Sequence, residues 1–109
     1  MKEWYYLLQQ FDTLHPELQR QVYRSFYELV YKDIYFLLED HALTEDLIQE
    51  TFIKVLNALQ KHDVSNIPAW IKQVSRNQTL DHLRKINKER YTEKINEVNT
   101  FDKNISPRV

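Results

Sequence analysis

A chain of 109 residues without a single glycine has few ways to turn tightly. Left-handed backbone and two-residue hairpin turns are chiefly glycine's province, so sheets assembled from hairpins are disfavoured before any pattern is read. The same absence removes the dinucleotide fingerprint, the Walker phosphate loop and the nucleophile elbow, which need glycine where backbone must pass close to a ligand or bend sharply. Cysteine is absent as well. No disulfide framework, thiol nucleophile or cysteine-bound zinc can form, and a cytoplasmic location is expected. The length holds one small domain with a core of three or four helices. The longest apolar runs, Trp4 to Leu8 and Ile34 to Leu38, are too short to span a bilayer, so neither a signal peptide nor membrane insertion is expected.

Apolar residues recur at helical spacing throughout, which predicts an all-α fold. A short first helix is expected over residues 2–11, with Trp4, Leu7, Leu8 and Phe11 on one face. A second, 16–39, begins at Pro16, whose missing N–H suits a first helical turn; Tyr23, Phe26, Tyr27, Val30, Ile34 and Leu37 form its inner stripe, with Tyr31 and Tyr35 at the edge. The i, i+4 tyrosines fit helix packing better than a base-stacking platform. A third helix, 44–61, takes Thr44 as N-cap and turns Ile48, Phe52, Val55 and Leu59 inward. A fourth, 68–90, follows the loop His62 to Ile67, opens on Pro68 and places Trp70, Ile71, Val74 and Gln78 on one side. Residues 1–90 are thus expected to form one domain and 91–109 a polar linker or disordered tail.

Net charge is −1, but it is unevenly distributed. Residues 39–69 carry two basic and six acidic groups, whereas residues 70–90 carry six basic and two acidic ones. Two surfaces with different partners are implied. On the third helix, Asp46, Gln49, Glu50, Ile53 and Asn57 line the side opposite the core stripe. A solvated face is the plain reading; an isoleucine set among acids and amides also suits docking against a basic partner helix. Glu45, Asp46, Glu50 and His41 invite comparison with a metal or acid–base cluster, but a turn ahead of Thr44 breaks the His41–Glu45 spacing. No second Glu-x-x-His helix supports one, and no metal or other cofactor is expected. On the fourth helix, Lys72, Arg76, Arg84, Lys85, Lys88 and Arg90 are interleaved with Asn77, Gln78 and Thr79. Cations meet phosphates, and amides or hydroxyls reach base edges. A solvated charged helix is the alternative, and Asn77 with Asp81 would also fit a buried polar pair.

Two runs carry a family resemblance: T-E-D-L-I-Q-E-T-F-I-K-V (Thr44 to Val55) and P-A-W-I-K-Q-V-S-R-N-Q-T-L-D-H-L-R-K (Pro68 to Lys85). Over residues 23–90 the chain resembles region 2 of bacterial RNA polymerase sigma factors of the extracytoplasmic-function type. The resemblance implies a non-enzymatic transcription initiation domain that binds core polymerase and recognises and melts the promoter minus-ten element. It implies that Asp46, Gln49, Glu50, Ile53 and Asn57 grip the beta-prime coiled coil, and that the 62–67 loop, with Ser65 and Asn66, captures a flipped base. Lys72, Arg76, Asn77, Arg84, Lys85 and Lys88 would face single-stranded promoter DNA, and Trp70 would support the loop by packing. An anti-sigma factor is a further implied partner. Ile67 stands where family loops often carry an aromatic residue, and the glycine common there is missing. The resemblance also implies a second domain, region 4, for which 109 residues leave no room; a fragment of a longer factor is expected rather than a one-domain factor. The alternative is a helical interaction module that never touches DNA.

Overall fold

The structure, a computed structural model, describes residues 3–94, with side chains through residue 87. It is all helical among the described residues: a 3₁₀ segment, Trp4–Thr13, then α1 (Pro16–Leu38), α2 (His41–Leu59) and α3 (Ile67–Lys94). None of these helices is long and apolar enough to cross a membrane. The chain divides into two compact units, one ending at Thr79 and the other starting at Leu80, with α3 contributing to each.

The opening helix departs from expectation in type and bounds. It is wound as 3₁₀ rather than α and interrupted at Gln10 (φ −123°, ψ 32°), consistent with the poor geometry of long 3₁₀ runs. Trp4 and Leu8 are buried while Leu7 and Phe11 are half-buried; Lys2 lies outside the described residues. The Gln19 side chain of α1 donates to the Phe11 carbonyl at 2.8 Å, tying the segment's end to the next helix.

Helix α1 begins where Pro16 predicts it. His15 is the cap, its Nδ1 accepting from the Glu17 N–H at 3.0 Å. Its fully buried stripe is Val22, Phe26, Val30 and Ile34, whereas Tyr23, Tyr27 and Leu37 of the expected stripe are only half-buried. With no glycine available, Glu39 adopts the left-handed conformation (φ 55°) that ends the helix, and its N–H bonds the Tyr35 carbonyl at 2.7 Å.

Helix α2 starts three residues before its expected start. Asp40, not Thr44, is the N-cap: its Oδ1 accepts from the Leu43 N–H at 2.9 Å. Thr44 sits inside the helix, fully buried, its hydroxyl returned to the Asp40 carbonyl at 2.7 Å. Thr51, Ser75 and Thr79 are buried in the same way, each hydroxyl donating to the carbonyl four residues earlier. A hydroxyl satisfied by its own helix can sit among apolar groups without an orphaned donor. Helix α3 begins at Ile67, with Asn66 accepting from the Ala69 N–H at 3.2 Å, and continues to Lys94, past the expected end of the domain at residue 90; residues 95–109 of the expected tail lie outside the described residues.

The core centres on Phe52. The rings of Phe11, Tyr23 and Phe26 meet it edge-on at centroid distances of 5.2, 4.9 and 4.9 Å, bringing the 3₁₀ segment, α1 and α2 onto one side chain that is 7% exposed. Such pairs are each worth about 0.5–1.5 kcal/mol beyond area burial. Trp70, expected in the core, is half-buried at its margin. Phe52→Ala should therefore lower unfolding free energy by about 3–5 kcal/mol, and Trp70→Ala by clearly less. Denaturant unfolding of the two variants checks the order.

Candidate functional site

Helix α2 separates two tasks by angle around its axis. Ile48, Phe52, Val55 and Leu59 are buried, while Asp46, Gln49, Glu50, Ile53 and Asn57 are all exposed. Spacings of three and four place the second set on one continuous face. Ile53 is 60% exposed, an apolar side chain presented to solvent between acids and amides. This face is joined to α3 through Gln78, which sequence periodicity assigned to packing. Its Nε2 donates to Glu50 Oε1 at 3.3 Å, and its Oε1 accepts from Lys54 Nζ at 3.0 Å. Lys54 had no signal beyond its charge.

Glu45 does not join Asp46 and Glu50. It turns toward α1, accepting from the Tyr27 hydroxyl at 2.9 Å and lying 3.2 Å from His41 Nε2. The expected break ahead of Thr44 does not occur, because α2 begins at His41 and thereby sets the His41–Glu45 pair at true helical spacing. His41 Nδ1 also meets the Tyr31 hydroxyl at 2.8 Å. Tyr27, Tyr31 and Tyr35 stack in parallel, with centroids 5.3 and 5.6 Å apart. These groups use one another to fasten α1 to α2. Among the described residues, no three His, Asp or Glu side chains gather as a metal ion would require.

In the unit ending at Thr79, Ser65 and Asn66 are exposed in the loop before α3, though the Asn66 carbonyl oxygen is engaged as the helix cap. Lys72, Arg76 and Asn77 are exposed and line one cleft of about 400 Å³ with Asp33 and Phe36 of α1. Lys72 Nζ lies 3.7 Å from Asp33 Oδ2. Neither Asp33 nor Phe36 was a candidate from sequence: both fall off the α1 core stripe, which is the signal that marks them as outward-facing. In the unit starting at Leu80, Arg84 and Lys85 are exposed, with Arg84 Nη2 3.2 Å from Asp81 Oδ1. Asn77 and Asp81 are both exposed, which removes the buried polar pair: Asp81 is held by Arg84 one turn on. Lys88 lies on α3, and its side chain is outside the described residues.

The Tyr27 phenol is pushed up to about 12, first by burial and then by its hydrogen bond to Glu45. Burial raises Tyr23 as well, with the Glu45 charge second. For Tyr27 the fold favours the neutral phenol. Its contribution to stability is therefore complete below the ordinary tyrosine value near 10 and is lost as pH rises through about 12. Tyrosinate absorbance should show a late-ionising group that disappears in Tyr27→Phe.

Comparison with known proteins places these surfaces in context. The family model for sigma-70 region 2 matches residues 22–89. The ECF RNA polymerase sigma factor SigM of Bacillus subtilis is 35% identical over 69 residues, which is 63% of this chain and 42% of that protein. The ECF RNA polymerase sigma factor SigX of the same organism is 29% identical over 65 residues, 59% of this chain and 34% of that protein. The chain thus spans less than half the length of either relative. No solved structure matches it significantly.

Proposed function

The chain belongs to the sigma-70 region 2 family, and on that premise we propose that it binds core RNA polymerase and recognises and melts the promoter minus-ten element. The outer face of α2, from Asp46 to Asn57, is the polymerase-docking surface and takes the beta-prime coiled coil. The loop bearing Ser65 and Asn66 receives an unstacked base; the cations of α3, Lys72, Arg76, Arg84, Lys85 and Lys88, hold the strand's phosphates, and Asn77 reads a base edge. The domain performs no covalent chemistry: unpaired bases are stabilised by contacts that offset the cost of unstacking. It works in the cytoplasm with polymerase, under control of an anti-sigma factor.

The observation that supports this most is the division of α2. A helix whose inner stripe is locked into an aromatic core and whose outer stripe presents Ile53 at 60% exposure has an apolar anchor ringed by polar groups. That is the composition of a protein-docking surface.

Charge reversal of Asp46 and Glu50 to lysine should weaken capture of a beta-prime coiled-coil fragment at least tenfold. Unfolding free energy should change by no more than about 0.5 kcal/mol, since both side chains are exposed. Unaltered affinity in that pull-down would show that docking lies elsewhere.

Phosphate and base contacts should separate in kind. Lys85→Ala lowers holoenzyme affinity for every single strand and reduces the salt slope by about one ion. Asn66 and Asn77 variants instead change which minus-ten sequence is preferred. Binding of matched and mismatched strands across a salt series distinguishes the two; equal losses on both strands for the asparagine variants contradict the assignment. A helical interaction module without DNA contact would leave strand capture unaffected in every variant.

A further inference from the structure

Phe36 is the most exposed large apolar side chain among the described residues, at 77%, on the last full turn of a helix whose core stripe is Val22, Phe26, Val30 and Ile34. Its position contributes nothing to that stripe. It borders the cleft of about 400 Å³ whose opposite wall is the first half of α3, with Lys72, Gln73, Arg76 and Asn77. Lys72 and Arg76 stand one turn apart on one edge, both exposed, and Gln73 and Asn77, one turn apart themselves, supply two amides beside them. The volume lies within the range of small-ligand sites. An aromatic face for a base, cations for the phosphates on either side and amides for a base edge together make the chemistry of a single-stranded nucleotide site.

We infer that this cleft holds one unpaired nucleotide of a single DNA strand, stacked on Phe36 with its flanking phosphates on Lys72 and Arg76. The inference rests on the proposed function and extends it, since it adds a base-binding platform on α1 to a strand otherwise held by the loop and α3. Charge complementarity selects the occupant. Two cations face a polyanion, and the single acid of the cleft, Asp33, lies 3.7 Å from Lys72 with both side chains at least half exposed, so it can be displaced by a phosphate at little cost. A protein segment docking here would gain from Phe36 but would need acidic groups for Lys72 and Arg76, and that alternative is an outcome of the test.

The experiment measures binding of short labelled single strands, each with one abasic position moved along the minus-ten sequence, to core polymerase carrying the full chain. Phe36→Ala should weaken binding of the intact strand about 5- to 100-fold without changing the salt slope, while Phe36→Trp retains it. The loss should vanish on the one strand whose abasic position removes the stacked base. Lys72→Ala and Arg76→Ala should lower affinity for all strands and flatten the salt dependence, and Asp33→Asn should tighten binding. The inference is overturned if Phe36→Ala binds every strand like the parent chain, if its loss is the same at every abasic position, or if it weakens only the complex with polymerase. If Asn77 and Lys85 variants lose strand affinity and Phe36→Ala does not, the cleft assignment alone falls. If the unaltered chain adds no strand capture to core polymerase, the reading beneath it falls first.

Discussion

The edge-on packing of Phe11, Tyr23 and Phe26 around Phe52 is the contact on which the other features depend. It joins the 3₁₀ segment and α1 to α2 at a single point, and so fixes the rotation of α2 about its own axis. Rotation is the quantity that matters for function: a half-turn would bury Asp46, Glu50 and Gln49 and expose Ile48 and Val55. Charged groups sent into that core without partners would be costly, so the docking face is specified by the core rather than alongside it. The clasp of Tyr27, Tyr31, His41 and Glu45 acts in the same sense, fastening the start of α2 to the middle of α1.

A chain without glycine must end and begin its helices by other means. Here side chains do the capping: His15 for α1, Asp40 for α2 and Asn66 for α3 each accept a backbone N–H that the helix itself leaves unpaired. The single left-handed residue among the described residues is Glu39, placed where a glycine would ordinarily stand. A non-glycine residue there carries a conformational cost of about 1–2 kcal/mol. The return is a connection of only Glu39 and Asp40 between α1 and α2, short enough to hold the two helices side by side.

The inner and outer faces of α2 were legible from spacing alone, because Ile48, Phe52, Val55 and Leu59 alternate with Asp46, Gln49, Glu50 and Ile53 at an unbroken helical period. The start of that helix was not. Asp40 and Thr44 are both competent caps, and periodicity says nothing about which is used; the buried hydroxyl of Thr44 bonds backward to Asp40 and so behaves as a small apolar group. The same disguise hid Thr51, Ser75 and Thr79. Gln78 was read as packing, but a long amide on the edge of a stripe can reach across to Glu50 and Lys54, a choice that depends on the neighbouring helix. Asn77 and Asp81 share a helical spacing with a buried pair yet lie outside, since Arg84 offers Asp81 a partner in solvent. Phe36 was silent because an aromatic residue is read as core by default; only the burial of Val22, Phe26, Val30 and Ile34 shows it to be outside.

The central claim is that this domain gives core polymerase the ability to hold an unpaired minus-ten strand. Its most direct test is equilibrium retention of a labelled minus-ten single strand by core polymerase with and without the chain, against a strand of scrambled sequence. Sequence-dependent retention that appears only when the chain is added is the predicted result. Equal retention with and without the chain, or equal retention of both strands in its presence, would contradict it.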